Sequence, residues 1–494
     1  MDRRIRWLGI VLMLCFVVLF LQLNNIQVLK ASSYANAPGN PRNTLQRYDL
    51  PRGTIESAGG QVLAESVPTH HGLYKYQRVY PTGSLFAQVV GFTSYIYGLS
   101  GVEAAYNKYL IAHTRPVKTL SDLLLSNRTE TDTVTLTLSE KLQALAQKEL
   151  AGRDGAVVVL NPRTGAIMAM YANPSFNPNP LASQDAKTER LAALADNTPD
   201  SEGFPPLLTL FDQRGFPPGS TFKMVTSSAI YQRDPQLANK VIPYYTEIPL
   251  PDTNQTLHNY AYESCGGDLA ALLPPSCDTG FALLGLALGA PNLVAQADAF
   301  GFNKVPPLDI PGAVASAFPP VSSFAHNLPF LAYSAIGQGN ISATPLQMAL
   351  VASAIANHGV IMTPHVMANI RDSQGQLVKA YEPKPWLTPI SASTASSVAK
   401  LMRTVVTHPN GTAYGLFPPS LDAAAKTGTA QTGTHHTDDW LAAFAPYRDP
   451  KAVVVVMVPD QSPNATGNSV AGPIISVMLQ AAVDGVQSVQ GGQG

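Results

Sequence analysis

The chain has 494 residues, 45% hydrophobic and only 13% charged, against about 25% charged in an average soluble domain, so it is neither disordered nor one ordinary domain of about 100–200 residues. Lys plus Arg is 32 and Asp plus Glu is 33, a net charge of −1 that leaves no bulk attraction for nucleic acid. Three cysteines exclude both a disulfide scaffold and a multi-cysteine zinc fold.

Residues 1–6 carry Arg3, Arg4 and Arg6, and 7–23 (Trp7–Leu23) is an apolar run interrupted only by Gln22. It sits at the short end of the about 17–25 residues that cross a bilayer as a helix. A cleaved signal is the rival reading, but its small-residue site, Ala35-Asn-Ala37, lies far beyond the run and precedes Pro38. A membrane anchor is therefore expected. The arginines keep the N-terminus cytoplasmic, and no other stretch reads as long and apolar enough to span. The expectation is a single-pass protein of the cell membrane with an extracytoplasmic body.

Residues 24–135 are polar and rich in Gly, Pro and Tyr, and read as a stem or pedestal; 136–487 read as the main domain and 488–494 as a flexible tail. Ser139–Leu150 puts Leu142, Leu145 and Ala146 on one helical face. Ala156–Leu160 and Ala166–Met170 flank Asn161-Pro-Arg-Thr-Gly165 as a hairpin. Trp440–Phe444 and Ala452–Val458 bracket Tyr447-Arg-Asp-Pro450, and one antiparallel sheet can unite both pairs. Between them the chain is mostly helical. Thr344-Pro-Leu-Gln347 has the letters of a capping box, with Gly359 as the C-terminal stop. A tail helix from Pro473 to about Val486 can cover one sheet face. The fold class is α+β, a terminal sheet with a helical insert.

The chemistry starts at Pro217-Pro-Gly-Ser220-Thr-Phe-Lys223, where an extended chain becomes a helix. Residues three apart share a helix face, so Ser220 and Lys223 meet at its N-terminus. A serine hydroxyl needs a neighbouring base to become a nucleophile, and a desolvated lysine can serve. The pattern alone is weak: Ser397-Val-Ala-Lys400 repeats it inside an amphipathic helix and reads as a solvated face. Ser276-Cys-Asp278 and Lys426-Thr-Gly-Thr429 follow in order. The first has decoys at Ser420-Leu-Asp422 and Ser462-Pro-Asn464. In the second, Gly428 between two hydroxyl residues on a strand lets a substrate backbone approach and pair with the edge. Strand alternation puts Lys426 opposite Thr427 and Thr429, so bringing all three to one site requires a distorted edge.

In that order these motifs resemble a class B penicillin-binding protein, a membrane-anchored peptidoglycan D,D-transpeptidase. Arg52-Gly-Thr-Ile55, Gly60-Gln-Val-Leu63 and Gly98-Leu-Ser-Gly-Val-Glu103 resemble its pedestal motifs. Gly155-Ala-Val-Val-Val, Thr164-Gly165 and Ile336-Gly-Gln-Gly339 resemble its transpeptidase domain. The compact length resembles the shorter actinobacterial-type members, with no region left for the glycosyltransferase domain of class A proteins. The resemblance implies that Ser220 attacks the penultimate D-alanine carbonyl of a stem peptide ending in D-Ala-D-Ala. Lys223 takes its proton, Ser276 relays a proton to the leaving amine, and Lys426 holds Ser276. Asp278, Thr427, Gly428 and Thr429 would bind substrate, the threonines through its carboxylate, and the backbone N–H groups of Ser220 and Thr429 would form the oxyanion hole. β-Lactams would acylate the same serine. No metal or organic cofactor is implied; His70-His71 and His435-His436 lack convergent ligands and read as loop residues. A membrane glycosyltransferase is the partner the family suggests.

Two enzymes in which water accepts the acyl group, a β-lactamase and a D,D-carboxypeptidase, compete with this reading, as does an inactive scaffold. Cys265 and Cys277 stay open between a disulfide leading into Ser276 and two small buried thiols. Asp278 stands where the family pattern has asparagine. An ionised carboxylate would pair with Lys223 or Lys426, whereas a protonated one would mimic the amide donor, and the protonated form is the expectation.

Overall fold

The computed structural model describes residues 2–30, 48–70, 72–114, 129–200, 203–433 and 436–491. The signal-cleavage candidate Ala35-Asn-Ala37, His71, His435 and the last residues of the tail, 492–494, lie outside them. The N-terminal helix, Asp2–Asn24, continues into a π-helical turn, Asn25–Leu29. The segment long and apolar enough to cross a membrane is Ile5–Gln27, mean hydropathy 2.3, wider than the Trp7–Leu23 run. Backbone hydrogen bonding carries the helix past the apolar edge, and Asn24 Nδ2 folds back onto Phe20 O at 2.8 Å.

Two sheets organise the rest. The larger has six strands, in the order Leu377–Ala380, Met367–Arg371, Thr133–Leu136, Ile55–Glu56, Val62–Pro68 and Tyr76–Val79. Strands 367–371 and 377–380 belong by sequence to the main domain, yet pair onto the stem, so this sheet crosses the expected boundary at 135. Asp309 reinforces the junction: it accepts from the Val366 and Met367 N–H groups at 2.7 and 3.0 Å and from Tyr106 of the stem at 2.6 Å.

The second sheet carries the site. Its order is Ile167–Asn173, Gly155–Leu160, Ala452–Gln461, Thr437–Ala445 and Ala424–Gln431, antiparallel throughout. Both hairpins expected from the apolar runs are present and adjoin. Gly155–Leu160 and Thr437–Ala445 are wholly buried, which requires cover on both faces. The tail helix and Glu140–Leu150 pack together on one face, while Pro345–Ala356 and Ala392–Thr407 pack on the other. In Glu140–Leu150, Ser139 caps the start through the Leu142 N–H, and Leu142 and Ala146 are buried with Leu145 half-buried.

Three local expectations are corrected. The tail helix is Gly467–Gly491, with Pro473 inside it. It starts early because Thr466 Oγ1 accepts from the Ser469 N–H at 3.2 Å, an N-cap seven residues before that proline. Its Gly467–Val486 stretch also meets the length and apolarity of a membrane span; Ile474, Ile475, Met478, Leu479 and Val483 are nevertheless buried in the core. At Pro345–Ala356, Thr344 Oγ1 does accept from the Gln347 N–H at 3.1 Å, but the reciprocal half of the box is missing. Gln347 Nε2 goes to Phe300 O, and the Thr344 N–H to Ser316 Oγ.

Candidate active site

Gly219–Phe222 forms a short 3₁₀ turn that runs directly into the helix Lys223–Arg233 and carries Ser220 at its mouth. Gly219 takes φ +50°, a left-handed conformation that favours glycine. Its N–H donates to Gly337 O at 3.0 Å, and a Cβ on Gly337 would fall 2.0 Å from Gly219 O. Ile336-Gly-Gln-Gly339 is thus the brace behind the Ser220 turn. On the other side lies the edge strand Ala424–Gln431: a Cβ on Gly428 would meet Pro218 O at 2.9 Å and Thr221 N at 3.1 Å. Trp440 Nε1 donates to Pro217 O at 2.9 Å and ties the next strand to the same turn.

Lys223 and Lys426 are both wholly buried. Lys223 Nζ donates to Asp278 Oδ1 at 2.6 Å, Ser276 O at 2.7 Å and Ser276 Oγ at 3.2 Å. Those three acceptors use the three N–H bonds of an ammonium. Lys426 Nζ donates to Ser276 Oγ and to Thr427 O, both at 2.8 Å. Ser220 Oγ donates to Asp278 Oδ1 at 3.5 Å. Ser220 and Lys223 therefore meet on one carboxylate oxygen, and a continuous chain runs Ser220–Asp278–Lys223–Ser276–Lys426. Burial pushes the Lys223 ammonium below its ordinary range, opposed by Asp278. Burial pushes Lys426 down further; Lys223 reinforces the effect and Asp278 opposes it.

Asp278, with 23% of its side chain exposed, forms an ion pair with Lys223. Of the two alternatives open for Asp278, this contact has the geometry of the pairing with Lys223.

Ser276 sits in an unusual backbone, φ +59°. A non-glycine residue there costs about 1–3 kcal/mol and persists only where its surroundings over-determine it. Here the Ser276 N–H bonds Leu273 O and the Cys277 N–H bonds Leu272 O, both at 3.0 Å. Cys277 is also joined to Cys265 by a disulfide across 12 positions. A loop near 15 residues gains about 3 kcal/mol from such closure, and the helix Asp278–Leu288 starts immediately after it.

The edge strand holds its register without a shift from Ala424↔Phe444 to Gln431↔Thr437, so the distortion expected there is absent. Lys426 turns toward Ser276, whereas Thr427 Oγ1 lies 2.6 Å from Thr412 Oγ1 and Thr429 Oγ1 accepts from the Gly467 N–H at 3.0 Å. Thr429 is half-buried and still open at the strand's margin. The resting structure gathers Ser220, Lys223, Ser276, Asp278 and Lys426, with Gly428 against the nucleophile turn, and leaves the two threonines engaged beside the cluster.

The decoys separate cleanly. Ser397 Oγ donates to Ser393 O of its own helix at 3.0 Å and Lys400 is exposed; Asp422 pairs with Arg403 at 2.8 Å. His436 pairs with Asp460 at 2.6 Å. Among the described residues no group of three or more His, Cys, Asp or Glu side chains converges as metal ligands would. Sequence reasoning missed Thr412, Gly467 and the bracing role of Gly337, all of them contacts between distant segments that no local pattern marks.

A serine, two buried lysines and a second serine hydroxyl lie together between a helix start and a sheet edge, the set that a penicillin-binding transpeptidase site calls for. The penicillin binding protein transpeptidase domain matches residues 155–480, and the penicillin binding protein A dimerisation domain matches residues 52–134. The chain belongs to this family. It is 34% identical to the peptidoglycan D,D-transpeptidase PbpA of Mycolicibacterium smegmatis, over 98% of this chain and 99% of that protein. It is 33% identical to PbpA of Mycobacterium tuberculosis, over 98% and 100%. The M. tuberculosis penicillin-binding protein A in its ceftriaxone acyl-enzyme complex superposes with a TM-score of 0.79 at 30% identity, covering 89% of this chain and 99% of that one. The D,D-transpeptidase domain from Eggerthella lenta gives 0.76 at 32% identity, covering 89% and 100%.

Proposed function

We propose that this protein is a serine D,D-transpeptidase that cross-links peptidoglycan stem peptides and is acylated by β-lactams. The observation that carries the reading is the unbroken chain from Ser220 through Asp278, Lys223 and Ser276 to Lys426. Ser220 Oγ attacks the carbonyl carbon of the penultimate D-alanine as its proton passes to Lys223. The ammonium drawn in the resting site must first give up a proton, which its burial favours. The Ser220 and Thr429 N–H groups receive the oxyanion. The C–N bond then breaks, Ser276 passes a proton to the departing D-alanine amine, and Lys426 steadies the Ser276 oxygen. An acceptor amine attacks the resulting ester and restores Ser220. Thr427, Gly428 and Thr429 present an unpaired strand edge and two hydroxyls to the extended peptide and its carboxylate. Asp278 holds Lys223 and Ser220 together.

The division into pedestal (24–135) and catalytic domain (136–487) suits this work. Arg3, Arg4 and Arg6 hold the N-terminus in the cytoplasm, a single anchor fixes the body outside, and the pedestal raises the site toward the wall. A membrane glycosyltransferase making the glycan strands is the partner class. The test is intact-mass analysis after incubation with penicillin G. Wild type and Ser397→Ala should gain one long-lived adduct and Ser220→Ala none. An adduct that survives Ser220→Ala overturns the assignment, and one shed within seconds points to a β-lactamase.

A further inference from the structure

Directly across the strand from Thr429 stands Asp439, which the mechanism above does not use. Opposed residues of an antiparallel pair point to the same face with Cβ atoms about 4.5–5.5 Å apart. Asp439 is wholly buried; the Thr429 and Thr437 hydroxyls are its hydrogen-bonding neighbours, but neither reaches a carboxylate oxygen at full hydrogen-bond geometry. A carboxyl so weakly compensated is costly when charged.

Each packed element contributes to its surroundings. Its own strand supplies Thr437 and Asp438; the edge strand supplies Thr429. The strand Ala452–Gln461 places Val458 opposite it, with Asp460 turned to Asp438 and His436. The tail helix brings Gly467, whose N–H is already given to Thr429 Oγ1. Arg214 acts on Asp438, and among the described groups acting on Asp439 there is no cation. Burial raises the Asp439 carboxyl, the Thr429 hydroxyl opposes this, Asp438 adds to it and Thr437 opposes it, leaving it at about 7.

We propose that Asp439 is a positioning residue which decides, by holding or losing its proton, whether the Thr429 hydroxyl is free to donate to the substrate carboxylate. Thr429 has one hydroxyl proton, its oxygen accepts from Gly467, and a substrate carboxylate only accepts, so that single proton is what Thr429 can offer it. Ionised Asp439 draws that proton inward and sets a negative charge behind the carboxylate site. Neutral Asp439 does neither. The transpeptidase then binds its donor peptide, and any β-lactam bearing a carboxylate, better on the acid side of neutrality.

This inference rests on the proposed transpeptidase reading, and the experiment separates the two. Penicillin G acylation of the full-length protein is resolved, from pH 5.5 to pH 9, into non-covalent affinity and acylation rate at saturation. Wild-type affinity should weaken by about tenfold or more across neutrality, the worth of one hydrogen bond to a charged group. Asp439→Asn should abolish that weakening, and Asp439→Ala, followed alongside in case the amide disturbs folding, should do the same. Penicillin G methyl ester, lacking the carboxylate, should show no such loss with wild type. Superimposable affinity profiles for wild type and both variants, or an equal loss with the ester, overturn the gate while Ser220 acylation stands. A wild type that is never acylated overturns both.

Discussion

Two buried clusters in this molecule have the same charge arithmetic and opposite uses. In the pedestal, Arg52 and Arg78 close on Glu103 at 2.8 and 2.6 Å. In the catalytic domain, Lys223 and Lys426 surround the Ser276–Asp278 turn, with Lys223 on Asp278 at 2.6 Å. Each is two cations to one carboxylate, with Glu103, Lys223 and Lys426 wholly buried. Burial raises the Glu103 carboxyl, yet Arg78 and Arg52 more than reverse this and hold it below the usual carboxylate range. Arginine does not deprotonate in proteins, so that cluster has one accessible state. Lysine yields its proton when desolvated, and burial pushes both lysines down. The difference lies in the cation: the same charge count gives a rivet with guanidinium and, in the proposed mechanism, a proton shuttle with ammonium.

Importing the pedestal's chemistry into the site should have the largest effect. Lys223→Arg keeps the positive charge and removes the base, so β-lactam acylation should fall by about 10²–10⁴-fold, the usual worth of a general base. Stopped-flow acylation on protein that still melts cooperatively measures it. An arginine variant acylated within a few-fold of wild type would break the distinction between the clusters.

The reverse experiment strips the carboxylate from the rivet. Glu103→Gln leaves two guanidiniums without their counter-charge, and breaking a buried pair in this way costs about 3–5 kcal/mol. Urea unfolding should show that loss, while the acylation rate of the protein that remains folded stays at the wild-type value. Slower acylation under folded conditions would mean that the pedestal cluster reaches the site and is no mere rivet.

What the sequence disclosed about these clusters followed the range of the interactions. Ser220 and Lys223 sit three apart on one helix start, and the hairpin around Asn161–Gly165 is a local apolar and turn pattern; both were legible. Arg52 and Glu103 were visible only as motif letters, because their ion pair joins distant segments. The strand Met367–Arg371 gave no sign that it would cross to the pedestal sheet, since register between remote strands is fixed by tertiary packing. The capping box was half right because Gln347 found a better buried partner in Phe300 O. Asp439 lay hidden next to Trp440, its pairing with Thr429 being a fact of the folded sheet alone.

The smallest expected effect bears on how far Asp278 makes the lysine cluster resemble the rivet. Its carboxylate is the main influence raising the Lys223 pKa against burial, so it holds the base protonated longer than burial alone would. In the proposed mechanism Lys223 acts unprotonated, so acylation at saturating penicillin should rise with pH through the Lys223 pKa, which lies below the ordinary lysine range. Asp278→Asn removes the raising influence and should move that rise to lower pH, accelerating acylation near neutrality and leaving the alkaline plateau where it was. Saturating ligand keeps the affinity change ascribed to Asp439 out of the measurement. A protonated, amide-like Asp278 predicts the opposite sign: acylation that falls as pH rises, and a variant in which the fall is flattened. Superimposable profiles would show that the ion pair at 2.6 Å contributes nothing to the base, and would place Asp278 with the pedestal's glutamate as structure rather than chemistry.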